Sequence, residues 1–140
     1  MSMHLEMRPD SDLLRVNETG EFSLEDAKRT FLEMMEAVAL NRTKRVLFDG
    51  RTITGNPQTI ERFFYGEFAA FTVAQYQERG VPPSTPFAYV LRAPVMDHEK
   101  FGETVAVNRG MRIRVFDNLE DALEWLAIPS ANEPDAGDGH

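Results

Sequence analysis

Cysteine is absent from this 140-residue sequence, which excludes disulfide stapling and thiolate metal sites and fits a reducing compartment. Long apolar runs are also absent, since none approaches the roughly 18 residues that a membrane-spanning helix needs. Met1 to Arg8 alternates apolar and polar residues without the apolar core of a signal peptide, so a cytoplasmic location and no transmembrane segment are expected. A basic surplus is missing too. Asp and Glu number 23 against 15 Lys and Arg, a formal charge of −8, which argues against nucleic acid as a partner because phosphate contacts require a basic surface.

The motifs of chemistry are missing in the same way. Ser2, Ser11, Ser23, Ser84 and Ser130 all lie outside any G-x-S-x-G elbow. His4, His98 and His140 lack the i, i+4 or H-E-x-x-H spacing that puts metal ligands on one helix face. Phosphate-cradling G-x-x-x-x-G-K-S/T and G-x-G-x-x-G patterns do not occur, and the acids of Asp97-His98-Glu99 are explained by capping of a helix start. No catalytic residue, metal site or cofactor is therefore assigned, and a non-catalytic protein is expected.

What is present reads as one domain over 1–128 followed by a flexible acidic tail over 129–140, where Glu133, Asp135 and Asp138 lie. Met3, Leu5 and Met7 alternate with polar residues, and after Pro9-Asp10-Ser11-Asp12 a second run, Leu13 to Asn17, completes an N-terminal β-hairpin ended by Thr19-Gly20. Ser23 caps a first amphipathic helix that turns Leu24, Ala27, Phe31, Met34, Met35 and Val38 inward and runs to about Leu40. Val46 to Asp49 is a central strand, its continuous apolar run implying cover on both faces. A polar loop then leads to Asn56-Pro57, an N-cap followed by proline at the first helical position. The second helix is predicted from Pro57 to Arg79, stopped by Gly80. Its stripe of Ile60, Phe63, Phe64, Phe68, Phe71 and Ala74 should face the core, with Tyr65, Ala69 and Tyr76 on a different face.

Phe87 to Leu91 is a second central strand, and Asp97 caps a third helix to about Asn108, with Phe101, Thr104 and Val105 inward and Gly110 beyond its end. Arg112 to Phe116 alternates as a strand with a wetter face, and a fourth helix follows Asp117-Asn118 with Leu119, Ala122, Leu123 and Leu126 inward. The order β-β-α-β-α-β-α-β-α predicts an α/β fold whose mixed sheet has a parallel centre, with about four helices packed on it.

Ligands of open α/β sheets favour the carboxyl ends of the parallel strands. Asp49, Arg51 and Thr52, then Thr54, Asn56 and Thr59, and Arg92 from the next strand, are the candidate ligand- or partner-binding residues there. Arg51 and Arg92 could converge on an anion at the amino end of the second helix; the alternative is surface pairing with Asp49, Asp97 or Asp117. Phe63, Phe64, Tyr65, Phe68, Phe71 and Tyr76 could equally be plain core, a homodimer face or the wall of an apolar pocket.

The hairpin, the Gly20-x-x-Ser23-x-x-Asp26 helix start, the strand VLFDGR, the NRG before the last strand and the closing RVFDNLEDALEWL together resemble the SpoIIAA-like (STAS/SEC14-type) family of small bacterial proteins, mostly of unassigned function. The resemblance spans most of residues 3–128 and implies a SpoIIAA/STAS-like fold, shared with anti-sigma-factor antagonists, and a regulatory protein-interaction role. Antagonists of that kind carry an Asp-Ser-Ser-Gly-type segment after the central strand, one serine of which is phosphorylated. The corresponding Gly55-Asn56-Pro57-Gln58-Thr59-Ile60 has no serine, and only Thr54 and Thr59 offer a hydroxyl there. A protein partner binding through this loop and helix start is expected, with a carrier of a small apolar or lipid-like ligand beside the second helix as the alternative.

Overall fold

The structure, a computed structural model, describes residues 3–97 and 99–127. His98, Ser130, His140 and the tail expected over 129–140 lie outside the described residues. The elements follow in the order β1 (His4–Asp10), β2 (Leu13–Glu21), α1 (Leu24–Leu40), β3 (Arg45–Thr54), α2 (Thr59–Gln75) with a closing 3-10 turn at Tyr76–Arg79, β4 (Phe87–Val90), α3 (Phe101–Asn108), β5 (Ile113–Phe116) and α4 (Leu119–Trp125). Five strands form one sheet in the order β1-β2-β3-β4-β5. The β1-β2 hairpin is antiparallel, and β2 through β5 run parallel, as the mixed sheet with a parallel centre requires.

The alternation of side chains along each strand sorts the core into two layers. Leu14, Val16, Val46, Phe48, Phe87, Tyr89, Ile113 and Val115 face one way, into a cluster built with α1 and α2. Leu13, Leu47, Ala88, Val90 and Phe116 face the other way and are covered by Ala122, Leu126 and their neighbours on α4. Helix α2 packs between α1 and α3. Its approach to α3 is close because Gly66 meets Gly102: a Cβ on Gly66 would lie 2.5 Å from the Gly102 carbonyl oxygen. On α1, Ser23 Oγ accepts the Asp26 amide at 3.2 Å, and Phe31 sits edge-on to Tyr65 and Phe68. Asn118 Oδ1 accepts the Asp121 amide at 2.9 Å and starts α4. At the β5 margin of the sheet, Lys100 Nζ donates to the Val115 carbonyl and the Val115 amide donates to Glu103 Oε2, each at 2.9 Å.

Several expectations are corrected. The hairpin's second strand does not stop at Asn17 but runs through Thr19-Gly20 to Glu21, and β3 does not stop at Asp49 but runs to Thr54, because the two strands continue to pair with each other beyond the end of β4. The polar loop is thus a strand extension, and its β-branched Thr52-Ile53-Thr54 suits a half-buried ladder. Helix α2 begins at Thr59 with Gln58 as its N-cap, not at Asn56-Pro57; the Gln58 amide donates to Glu61 Oε1 at 2.8 Å. Helix α3 begins at Phe101, although the Asp97 carboxylate does accept the Phe101 amide at 3.1 Å, and Ala106 rather than Thr104 joins Val105 inside.

The last correction concerns how α2 faces. Its buried residues are Gly66, Ala69, Ala70, Thr72 and Val73, so the face carrying Ala69 and Val73 is the inner one. Ile60, Phe64 and Phe71 of the expected core stripe are 52%, 42% and 61% exposed. At Gly66 the contact with Gly102 leaves no room for a side chain, and Ala69, Ala70 and Val73 join the main cluster. Phe68, half-buried, still packs against the main cluster.

Candidate functional site

Two features meet at the carboxyl ends of the parallel strands: a polar rim on the outside and a small apolar cavity beneath it. The rim is the run from Arg51 to Thr59. Thr52, Thr54, Asn56, Gln58 and Thr59 are exposed, and Pro57 is buried beneath them. Thr52 Oγ1 lies 3.5 Å from the Glu18 carbonyl oxygen, and Thr54 Oγ1 is the same distance from that of Gly20. Thr54 ends β3 and Thr59 opens α2.

Of the two arginines of the expected anion site, Arg51 is committed to Asp49. Asp49 and Arg51 face away from α2 and form a fork: Arg51 Nε donates to Asp49 Oδ1 at 3.0 Å and Nη2 to Oδ2 at 2.8 Å, while the Arg51 amide adds a third bond at 3.1 Å. Hydrogen bonding from Arg51, joined by the charge of Arg92, holds the Asp49 carboxyl below its usual range. Asp49, Arg51 and Arg92 thus come together electrostatically. They lie on the sheet face that α4 covers only in part, with Arg92 exposed. Among the described residues no cluster of three His, Asp or Glu side chains could hold a metal ion.

The cavity lies under the rim and has a volume of about 120 Å3. Phe48, Ile53, Leu91, Val95, Ile113 and Val115 give it apolar walls. The charged side chains Arg62, Asp97, Lys100 and Glu103 line it as well, and Glu18, Tyr65 and Tyr89 bring polar groups to its inner wall. Their placement follows from the strands. In β2 the inward positions are Leu14, Val16 and Glu18, so alternation alone drives a carboxylate into the apolar layer. Asn17 pairs with Asp49 and Thr19 with Thr52, so Glu18 stands opposite two residues of β3, Gly50 and Arg51. This bulge returns Ile53 to the inner face beside the cavity.

Glu18 is only 3% exposed. Thr30 Oγ1 donates to its Oε2 at 2.8 Å, while Oε1 makes no hydrogen bond among the described residues. Burial pushes its acid up from 4.5 to about 7, against the opposing pull of the Thr30 bond. The hydroxyls of Tyr65 and Tyr89 are 2.7 Å apart and hydrogen-bonded, and Tyr89 stacks on Phe48 with ring centroids 4.2 Å apart. Burial raises both phenols above their ordinary value, Glu18 adding a smaller push in the same direction. Arg62 closes the outer side: its Nη1 donates to the Val95 carbonyl at 2.6 Å and Nη2 to that of Pro94 at 2.9 Å, tying the segment after β4 to α2.

Compared with solved structures, the chain is similar to an anti-sigma factor antagonist from Mycobacterium paratuberculosis, with a TM-score of 0.58 and 16% identity over 89% of this chain and 94% of that one. The fold is SpoIIAA-like. An uncharacterized protein of the DUF3478 family with a SpoIIAA-like fold, from Shewanella loihica PV-4, matches at a TM-score of 0.48 and 15% identity over the same shares of the two chains. No family model matches the sequence, and no curated protein does.

On this SpoIIAA-like fold the remaining aromatic candidates divide between three environments. Tyr65 lines the cavity. Phe63 packs against Phe64 and Phe101, and Tyr76 donates to Glu36 Oε2 at 2.5 Å beside Arg79. Phe64 and Phe71, with Ile60, form an exposed apolar stripe that begins at the rim. Sequence reasoning missed Glu18 because the second strand was ended one residue before it. An acid at the third inward position after Leu14 and Val16 was the available signal. Tyr89 was hidden within an apolar run in which its hydroxyl drew no notice.

Proposed function

We propose that the protein is a non-catalytic regulatory module that binds a protein partner through the rim Arg51–Thr59 and the start of α2. The observation that carries this reading is the continuity of the exposed polar rim with the exposed Ile60 and Phe64, one turn apart on α2. A small apolar centre beside exposed hydroxyls and amides has the composition of a protein interface rather than of a surface meant for water. Likeness to a protein described as an anti-sigma factor antagonist supports it at the level of fold. The second reading, a lipid-like cargo, does not fit the cavity of about 120 Å3, short of the roughly 300 Å3 at which ligand pockets begin; it would rest on the open groove of about 560 Å3 beside α2 that Phe64, Phe68 and Phe71 line with Lys28, Glu67 and Arg109.

The test is affinity capture from lysate of the native host with wild-type protein, Phe64→Ser and Thr59→Glu, each checked for an unchanged thermal midpoint. A protein retained by the wild type and lost from both variants, and binding directly when purified, is the expected result. Equal retention by all three, or none by the wild type, would overturn the reading.

A further inference from the structure

The cavity poses a question that partner binding at the rim does not answer. Carboxylic acids are rarely left in apolar walls, because an unsatisfied buried oxygen destabilises the fold and an apolar residue of similar size would not. Here Glu18 is kept at 3% exposure with Oε2 engaged by Thr30 and Oε1 without a hydrogen bond among the described residues. Thr30 does not need the acid, since the Ala27 carbonyl lies 3.2 Å from its Oγ1. The tyrosine pair adds a complementary group. Whichever of Tyr65 and Tyr89 donates to the other, the accepting hydroxyl keeps its own hydrogen.

Once Glu18 is ionised, above about pH 7, one wall therefore offers a free acceptor, Glu18 Oε1, and another a free donor. A hydroxyl group is both donor and acceptor, so it satisfies both at once. An ammonium group lacks the acceptor that the phenol seeks, and a ketone lacks the donor that Glu18 seeks. Size sets the rest. A dry apolar cavity of about 150 Å3 accommodates benzene, and this one has about 120 Å3.

We propose that the cavity bounded by Glu18, Tyr65, Tyr89, Phe48 and Val95 is a binding site for a compact, mostly apolar molecule bearing a single hydroxyl group, of the size of a simple phenol. The hydroxyl donates to Glu18 Oε1 and accepts from the spare tyrosine hydrogen, while the ring or branched chain lies against Phe48, Ile53 and Val95. Entry passes the segment after β4, which Arg62 holds through the Pro94 and Val95 carbonyls.

The site is tested at about pH 8, where Glu18 is ionised, by titrating the full chain, labelled at its methyl groups, with phenol and separately with toluene, which has the same shape without the hydroxyl. Phenol should produce saturable shifts at the Ile53, Val95 and Met96 methyls and bind about tenfold more tightly than toluene, the worth of one net hydrogen bond. In Glu18→Met, which leaves Thr30 the Ala27 carbonyl, the preference for phenol should vanish while toluene binds as before. Tyr89→Phe should reduce the preference in the same direction. Absence of saturable shifts at those methyls in the wild type overturns the site. So does equal binding of phenol and toluene, a comparison that needs no variant to fold. A preference that survives in both variants overturns the assigned roles of Glu18 and the tyrosine pair.

Discussion

Replacing Glu18 by glutamine should change how stability responds to pH, in a direction that geometry fixes. The folded protein holds the Glu18 proton until about pH 7, whereas the unfolded chain releases it near 4.5. Folding is therefore least burdened by this group below the unfolded value, loses stability as pH rises between the two, and stays at the lower level above the folded value. At 1.36 kcal/mol per unit, a displacement of roughly 2.5 units amounts to about 3 kcal/mol. The side chain is almost wholly buried, so solvent screens little of it. Asp26 and Glu33 on α1 push its acid further up, while Arg29 pulls it down.

Glutamine keeps the shape and an acceptor for Thr30 but has no proton to lose. Urea unfolding followed by circular dichroism, at steps between about pH 4 and 8, should show wild-type stability falling relative to Glu18→Gln by about 3 kcal/mol. Only the difference between the two proteins is diagnostic. Asp49 and Glu36, held low chiefly by Arg51 and Arg79 respectively, contribute stability that is present at neutral pH and lost on acidification in both. Parallel stability curves for the two proteins across that range would refute the placement of an ionisable carboxyl in the cavity wall.

Three further outcomes are expected. Gly66→Ala should destabilise by about 1–3 kcal/mol through overpacking against the Gly102 carbonyl, measurable as a lowered thermal midpoint; Gly80→Ala, where no atom lies within 4 Å but φ is +88, should lose only about 1 kcal/mol to backbone strain. Phe31→Ala removes a ring 2% exposed between Tyr65, Phe68 and Phe87 and should cost about 3–5 kcal/mol in chemical denaturation. Asn118→Ala deletes the side chain that starts α4 and should lower the urea midpoint by the equivalent of about 1 kcal/mol without changing the slope.

The element order and the parallel centre were legible because each depends on short-range signals: apolar runs at Val46–Phe48 and Phe87–Val90, alternation at Met3–Met7, and the caps Ser23 and Asn118. Strand lengths were not, because β2 and β3 extend past their neighbours only by pairing with each other, a relation that no local window contains. The facing of α2 was misread for a related reason. Periodicity identifies stripes on a helix, but which stripe turns inward depends on tertiary contacts such as the approach of Gly66 to Gly102 on α3, which lie outside any local window. Of the candidate site, the rim was foreseen as a position and mistaken for a loop, and the Arg51 pairing with Asp49 followed one of the two alternatives left open. Of the cavity, Glu18 was marked by its alternation with Leu14 and Val16, whereas the bulge between β2 and β3 that returns Ile53 to the inner face has no such mark in the sequence.

The bonds that Lys100 and Glu103 make to Val115 give the sheet a direction of growth. The lane beside β5 already has its carbonyl and amide at Val115 occupied by the side chains of Lys100, just before α3, and Glu103 within it, so an incoming strand there must first evict two hydrogen bonds, one of them to an ammonium group. The opposite margin, β1, pairs only with β2 among the described residues and presents His4, Glu6 and Arg8 along a ladder that runs antiparallel to its neighbour. Strand addition, whether in a physiological complex or in aggregation, is thereby directed to the hairpin side, remote from α3 and its Lys100 and Glu103 clasp.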